Sequence, residues 1–312
     1  MIVNHSHQFI FVHVPKAAGT SVSELFSKYS AYSDLEVGGT ELGEALQHAY
    51  KRRFGLTKHS TAAEIRAVTG DAAWKKYYKF AFVRDPYARA QSTFHFMKRW
   101  HGNKEMQRLA FMDDLDDFRS FVMSDVFTKQ KAHRLLWPQA RWLQDDSGKL
   151  LVDHVGRLET LDEDIHHILS TAPGLVKVGG AGDRVPQKNR SASTDAALYE
   201  LLCNDPEVER RIYENWKEDF DAFQYPRFDK ATAPKPAAEP TGMAAVPPQP
   251  VRGPKGKAGG ADRPGKAAKL ALNAAGEPRK AGEAKQGKGG KGGGGGGGAK
   301  PWKKDKAAKV AA

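Results

Sequence analysis

One sequence feature limits most strongly what this chain can fold into. It is an apolar run that ends at a proline and is followed by a loop of small residues. Residues 9–14 have the length and composition of a buried strand, which Pro15 ends. The loop 16–21 carries one lysine and one glycine, and apolar residues recur at helical spacing from Val22. Because free backbone N–H groups at a helix start attract phosphate-like anions, this strand, loop and helix predict an anion site.

The order of residues in this loop excludes the common motif of nucleoside triphosphatases. A Walker A loop carries its lysine directly after its last glycine, whereas Lys16 precedes Gly19 by three positions. By itself, the loop fits either an anion site or an ordinary turn with a solvated lysine. A second feature has to separate these two interpretations.

A second strand and helix carry further groups that can bind phosphate. Residues 80–83 form a continuous apolar run, and Asp85 suits the N-cap of a following helix. Arg84 then lies at the carboxyl end of a buried strand, and Ser92 lies two turns along the helix. Since ligands bind where the strands of an open α/β sheet end, Arg84 and Lys16 are expected to face one crevice. An arginine fork and a serine hydroxyl there predict a second phosphate site.

The order of elements predicts an α/β fold, in which helices flank a P-loop-like central parallel sheet. A third strand is predicted at 150–155, and residues 60–64 resemble a capping box. Further helices are predicted at 41–51, 115–123, 161–170, 194–203 and 206–223.

The positive charge of the chain belongs to its C-terminal part. Residues 231–312 hold 17 Lys and Arg against 5 Asp and Glu, a balance that equals the net charge of +12 of the whole chain. This segment is rich in Gly, Ala, Pro and Lys and cannot bury enough apolar surface to fold. We therefore predict a folded domain at 1–230 and a disordered basic tail at 231–312. The tail is expected either to contact a polyanion weakly or only to solubilise the chain.

Cysteine content and hydropathy restrict the class of protein further. The single cysteine, Cys203, leaves no partner for an internal disulfide and excludes a multi-cysteine metal site. His166 and His167 do not have metal-ligand spacing, so no metal site is expected. No window approaches the roughly 18 continuous apolar residues of a membrane span, and no signal-peptide pattern is visible. These features predict a cytoplasmic protein without a transmembrane segment.

Together, the loop from Pro15 to Ser21 and the run from Arg84 to Ser92 resemble the two cofactor motifs of the sulfotransferases. The resemblance is closer to the carbohydrate sulfotransferase branch, which includes heparan sulfate 2-O-sulfotransferase and its bacterial relatives. It extends over residues 8–226. Further similar segments are 58–62, 156–161, 188–191 and 219–225.

This resemblance implies transfer of a sulfonate group from 3′-phosphoadenosine 5′-phosphosulfate (PAPS) to a hydroxyl group, with a carbohydrate as the expected acceptor. The 3′-phosphate of the donor maps onto Arg84 and Ser92. The 5′-phosphosulfate maps onto the first loop, where Ala17 departs from the Thr or Ser that is frequent in the family. The loop residues implied in donor binding are Lys16, Ala17, Ala18, Gly19, Thr20 and Ser21.

Two side chains are candidates for the chemistry that the resemblance implies. Lys16 is expected to stabilise the charge that develops on the leaving group. An acceptor hydroxyl must lose its proton, and His59 lies between the two motifs, as the catalytic base does in the heparan sulfate branch. His95 is the alternative base, whereas His13 is expected to be a packed core residue.

Other basic residues, and the function itself, leave alternatives open. Lys188 and Arg190 are included among the donor-binding candidates, with simple solvation as the alternative. Arg157 and Glu159 are expected to form a structural ion pair. The competing functions are a nucleotide-dependent kinase, since anion-binding loops serve both chemistries, and a non-catalytic polyanion binder that acts through the basic tail.

Overall fold

The fold is built on a five-stranded sheet, seen in a computed structural model that describes residues 1–99, 117–128, 133–178 and 192–233, with the backbone alone at 192–195. The sheet has the order β3-β1-β2-β4-β5. β2, β4 and β5 are parallel, whereas β1 is antiparallel to both of its neighbours. The strands are β1 (Ile2–Asn4), β2 (Phe9–Val12), β3 (Leu35–Glu36), β4 (Tyr78–Val83) and β5 (His154–Arg157).

Helices surround this sheet. In chain order they are α1 (Gly19–Phe26), α2 (Glu41–Phe54), α3 (Ala62–Thr69), α4 (Asp71–Lys76), α5 (Pro86–Arg99), α6 (Phe118–Met123), α7 (Asp125–Thr128), α8 (Ala140–Leu143), α9 (Leu161–Thr171), α10 (Pro173–Val176), α11 (Ala192–Asn204), α12 (Pro206–Asn215) and α13 (Lys217–Phe223). None of the helices in the described ranges is both long and apolar enough to cross a membrane.

Side chains that alternate along the central strands pack into two separate hydrophobic cores, one on each face of the sheet. Phe9 and Phe11 pack with apolar residues of α1 and α9, whereas Ile10 and Val12 pack with those of α3, α5, α12 and α13. This alternation follows from the period of two in a strand. Both faces of the sheet are thus covered, so ligands can approach the parallel strands only at their ends.

The α/β class and the helices that flank the sheet confirm the coarse prediction from sequence. The strand at 80–83 and its helix are present, and Thr61 and Glu64 form a full capping box at the start of α3. The sheet is not wholly parallel, because β1 pairs antiparallel with β2. Its likeness to a P-loop fold stays a prediction.

The third predicted strand is displaced along the chain. The sequence predicts it at 150–155, whereas it lies at His154–Arg157. Leu150 and Leu151 instead pair with the preceding segment, where Leu151 N–H donates to the Leu143 carbonyl at 2.8 Å. The predicted strand therefore begins four residues too early, because its first residues lie in a separate bridged segment.

The region boundary predicted at residue 230 stays a prediction. Residues Met1–Met243 form one compact unit, and all described residues belong to it. From residue 234 onward, the predicted disordered tail lies outside the described residues.

Candidate active site

The loop between β2 and α1 combines an unusual backbone with an uncapped helix start. Lys16 and Ala18 have φ values of 66° and 58°, which residues other than glycine rarely adopt. α1 begins at Gly19 without a side-chain cap and without an acidic residue in its first turn. Its first N–H groups, which have no intrahelical acceptor, can therefore serve an anion.

Gly19 is required at this helix start because the His13 imidazole lies against it. A Cβ at Gly19 would lie 2.0 Å from both Cδ2 and Nε2 of His13. The His13 ring is buried directly after the end of β2, as predicted. The histidine thus sets how closely α1 approaches the sheet.

We expect Gly19→Ala to weaken both the fold and anion binding at this loop. The added methyl group would overlap the buried His13 ring, so the ring or the helix start must move, at a cost of about 2 kcal/mol. Thermal denaturation would measure the stability, and calorimetry with 3′-phosphoadenosine 5′-phosphate (PAP) would measure the affinity. Gly55→Ala is the control, because a Cβ at Gly55 meets no atom but strains a positive φ. Gly55→Ala should lose thermal stability but keep its affinity for PAP. If Gly19→Ala keeps both its stability and its affinity, the contact between Gly19 and His13 does not constrain the loop.

Lys16 lies at the centre of a cluster of positive charge. Its ammonium is 4.4 Å from the centroid of the Phe96 ring on α5. Burial lowers the pKa of Lys16 to about 8, and the largest effects of neighbouring charges act in the same direction. Those neighbours are Arg84, Arg99, Lys58 and Arg89. Cations in such proximity repel one another, so a multiply charged anion would relieve the repulsion.

Arg84 is held by its backbone at the end of β4. Its N–H donates to Gln139 Oε1 at 2.9 Å, and its carbonyl accepts from Gln139 Nε2 at 2.8 Å. Asp85 caps the next helix, because its Oδ1 accepts from the Ala88 N–H at 2.8 Å. Since β2 and β4 are parallel neighbours, Arg84 and Lys16 lie at the same edge of the sheet, as predicted.

The remaining loop residues and Ser92 also lie around this edge. Ala17 is packed into the hydrophobic core, so only its backbone can face an anion. Thr20 is exposed and Ser21 half-buried at the start of α1. Ser92 is half-buried on α5, one turn before Phe96. Residues four apart share a helix face, so Ser92 lies on the side of α5 that meets Lys16.

His59 is held in one tautomer by the backbone next to the loop. Its Nδ1 is 3.0 Å from the His13 carbonyl, and its ring centroid is 4.6 Å from that of His13. A carbonyl can only accept, so Nδ1 carries the proton and Nε2 keeps its lone pair. Burial lowers the pKa of His59 to about 3, and Lys58 acts in the same direction. The imidazole is therefore neutral at physiological pH, in the protonation state of a base.

The other predicted residues are placed less closely or not at all. His95 is exposed on α5, where burial, Arg99 and Lys16 lower its pKa. Lys188 and Arg190 lie outside the described residues, so their role stays a prediction. Within the described ranges, no group of three or more His, Cys, Asp or Glu side chains is arranged to hold a metal ion.

Glu159 joins the ends of β4 and β5 and does not pair with Arg157. Its Oε1 accepts from the Asp85 N–H at 2.8 Å, and its Oε2 accepts from the Tyr225 hydroxyl at 2.9 Å. Arg157 Nη2 donates to the Phe223 carbonyl at 2.6 Å. The expected ion pair between Arg157 and Glu159 is therefore wrong, because each side chain has a partner at the C-terminal end of the domain.

Sequence reasoning missed three buried polar residues behind the site. Arg89, Gln139 and Asp219 have no exposed surface. For Arg89 the available signal was helical spacing, which places it on the face of α5 that also carries the buried Pro86 and Thr93. A charged residue on such a face indicates a buried polar network.

The amino-acid sequence is similar to one protein family and to several of its characterised members. The Sulfotransferase family matches residues 1–226. Carbohydrate sulfotransferase 11 from Mus musculus and from Rattus norvegicus are each 26% identical over an alignment of 250 residues that covers 72% of this chain and 66% of the relative. Carbohydrate sulfotransferase 12 from Mus musculus is 26% identical over an alignment of 267 residues that covers 73% of this chain and 60% of the relative. The chain thus covers less than two thirds of these relatives, and no solved structure matches it.

Proposed function

We propose that this chain, which belongs to the sulfotransferase family, transfers a sulfonate group from PAPS to a hydroxyl group of a carbohydrate. The observation that carries the proposal is the cation cluster around Lys16, with Arg84 beside it at the same sheet edge. A nucleotide with a phosphate at each end of its ribose fits such a cluster. Carbohydrate as the acceptor class rests on the names of the relatives.

The residues of the site fit the donor in two parts. The uncapped start of α1 and the Lys16 ammonium suit the 5′-phosphosulfate, since both favour negative charge. Arg84 and Ser92 suit the 3′-phosphate, because a guanidinium fork and a hydroxyl donate hydrogen bonds to its oxygens. Ala17 contributes through its backbone, so the missing hydroxyl at this position leaves the anion site intact.

The chemistry follows from the same residues. PAPS supplies a sulfonate group that is activated by its bond to phosphate. Lys16 would neutralise the charge that develops on the departing phosphate oxygen. Nε2 of His59 would accept the proton of the acceptor hydroxyl. An anion in the Lys16 cluster would also raise the pKa of His59, because a cation, Lys58, now contributes to lowering it.

Calorimetry with PAP and ATP tests the donor class. PAP should bind with micromolar affinity, and Arg84→Ala should weaken it at least tenfold, since a charged hydrogen bond is worth about 1.5–3 kcal/mol. At pH 8.5 the site should take up protons on binding PAP, because the bound anion raises the pKa of Lys16 from about 8. Buffers of different ionisation enthalpy would detect this uptake.

Transfer of labelled sulfate from PAPS to a panel of glycans would test the reaction. A labelled glycan product supports the proposal. ATP binding in place of PAP would favour a kinase, and polyanion binding that vanishes on removal of residues 231–312, without PAP binding, would favour a non-catalytic binder. The heparan sulfate 2-O branch, a bacterial origin, the cytoplasmic location and the contact of the tail with polyanions stay predictions.

A further inference from the structure

Arg89 is a fully buried arginine directly beneath the Lys16 loop. Its Nε donates to the Pro15 carbonyl at 3.3 Å, and its Nη2 donates to the carbonyls of Leu135 and Trp137 at 3.3 and 2.8 Å. The guanidinium lies over the Trp216 ring, with 4.4 Å to the centroid. One side chain on α5 thus holds two backbone segments that are more than 100 residues apart.

The contact with Pro15 bears directly on the donor loop. Proline has no N–H group, so its carbonyl is its only backbone hydrogen-bonding group. Lys16 follows immediately, in its left-handed conformation. A shift of the Pro15 carbonyl would therefore turn the peptide group that leads into Lys16.

A second set of contacts leads from Arg89 to Arg84. Nη1 of Arg89 lies 3.7 Å from Asp219 Oδ2. Asp219 accepts from Gln139 Nε2 at 3.4 Å and from the Ala140 N–H at 2.9 Å. The same Gln139 amide makes both hydrogen bonds to the Arg84 backbone. A continuous polar chain therefore joins the loop of Lys16 to Arg84 through Arg89, Asp219 and Gln139.

A contribution to the stability of the fold does not by itself account for this series of polar contacts through Arg89, Asp219 and Gln139. The free-energy cost of desolvating a buried ion pair can exceed the gain from the attraction between its charges. Apolar residues of similar volume often stabilise a fold equally well. Burial lowers the pKa of Arg89 to about 10 and raises that of Asp219, so desolvation acts on both groups. What an apolar pair lacks is directional hydrogen bonding to Pro15 and Gln139.

We propose that Arg89 and Asp219 are positioning residues that fix the 5′-phosphosulfate loop and the 3′-phosphate site relative to each other. The inference rests on the proposed function, because it assigns these two half-sites to the two ends of one donor. Neither residue has to touch the donor. A ligand that spans both half-sites depends on their spacing, whereas a ligand of one half-site does not.

The test compares one ligand that spans the site with two that do not. PAP carries phosphates at both positions, adenosine 5′-phosphate carries only the first, and adenosine 3′-phosphate carries only the second. In Arg89→Met/Asp219→Leu, we expect PAP to bind about 10- to 100-fold more weakly, with each monophosphate within threefold of wild type. Arg141→Gln/Glu218→Gln removes an exposed ion pair between α8 and α13, at 3.2 Å, and should leave all three affinities unchanged.

Each outcome decides the proposal. Unchanged PAP affinity, or an equal loss for all three ligands, would overturn it, because equal loss indicates general damage to the site. If the double variant does not fold, Arg89→Lys keeps the charge but lacks the planar fork whose Nε and Nη2 donate to carbonyls of both segments, and it should show the same selective loss at roughly tenfold. If the wild-type protein does not bind PAP, the proposed function fails and this proposal fails with it. PAP binding with no selective loss overturns the positioning role alone.

Discussion

Replacing Lys16 by methionine should lower the rate of sulfonate transfer at saturating donor by about 10²–10³-fold, the usual effect of removing one group that stabilises developing charge. Methionine keeps an unbranched apolar stem of similar length on the Phe96 ring, so the loop should retain its packing. What is lost is the ammonium at the centre of the cation cluster. Single-turnover measurements with labelled PAPS would isolate the transfer step.

The matched control for this substitution is Lys58→Met. Lys58 is another cation whose charge reaches Lys16, but its ammonium is paired with Glu44 Oε1 at 2.9 Å. Removing a paired, partly exposed charge should change the rate by less than about fivefold. If Lys16→Met turns over at a near-normal rate with saturating donor, Lys16 is not the group that stabilises the leaving oxygen.

Part of the site could be predicted because it follows from local rules. The apolar run at 80–83 gives β4, and the Asp85-Pro86 pair gives the start of α5. Two strands in a parallel sheet then bring Arg84 and Lys16 to one edge without any knowledge of distant contacts. The position of Lys16 and Arg84 at one sheet edge is therefore predictable from sequence, whereas the other cations of the cluster are not.

The rest depends on contacts that the local sequence does not record. β1 and β3 have three and two residues, too short for a periodic signal, and exist because Ile2 pairs with Phe11 and Glu36. Helical spacing places Arg89 on a buried face of α5, but it does not show that Asp219 is the partner. Each of these two residues is buried because the other, 130 positions away, pairs with its charge. Arg89 also needs backbone carbonyl groups as acceptors, and no side-chain pattern in the sequence reveals these.

Replacing His59 by asparagine should cause the second large fall in the rate of sulfonate transfer. The substitution removes only the proton-accepting nitrogen, because the hydrogen bond to the His13 carbonyl can be kept. In His59→Asn, the side-chain amide can take the place of Nδ1 and donate to the same carbonyl, while nothing replaces Nε2. We expect the transfer rate to fall by about 10²–10⁴-fold, the usual contribution of a general base. PAP affinity and thermal stability should stay close to wild type.

His95→Asn is the comparison that separates the two candidate bases. His95 is exposed on α5 beside Lys16, so its loss should change the rate by less than about threefold if His59 is the base. A normal rate in His59→Asn with an inactive His95→Asn would reverse the assignment. His59→Gln sharpens the result, because its amide reaches the position of Nε2 yet cannot accept a proton at neutral pH, and it should be as slow as the asparagine variant. A base at His59 would thus act from beside the end of β2, where the His13 carbonyl holds its Nδ1.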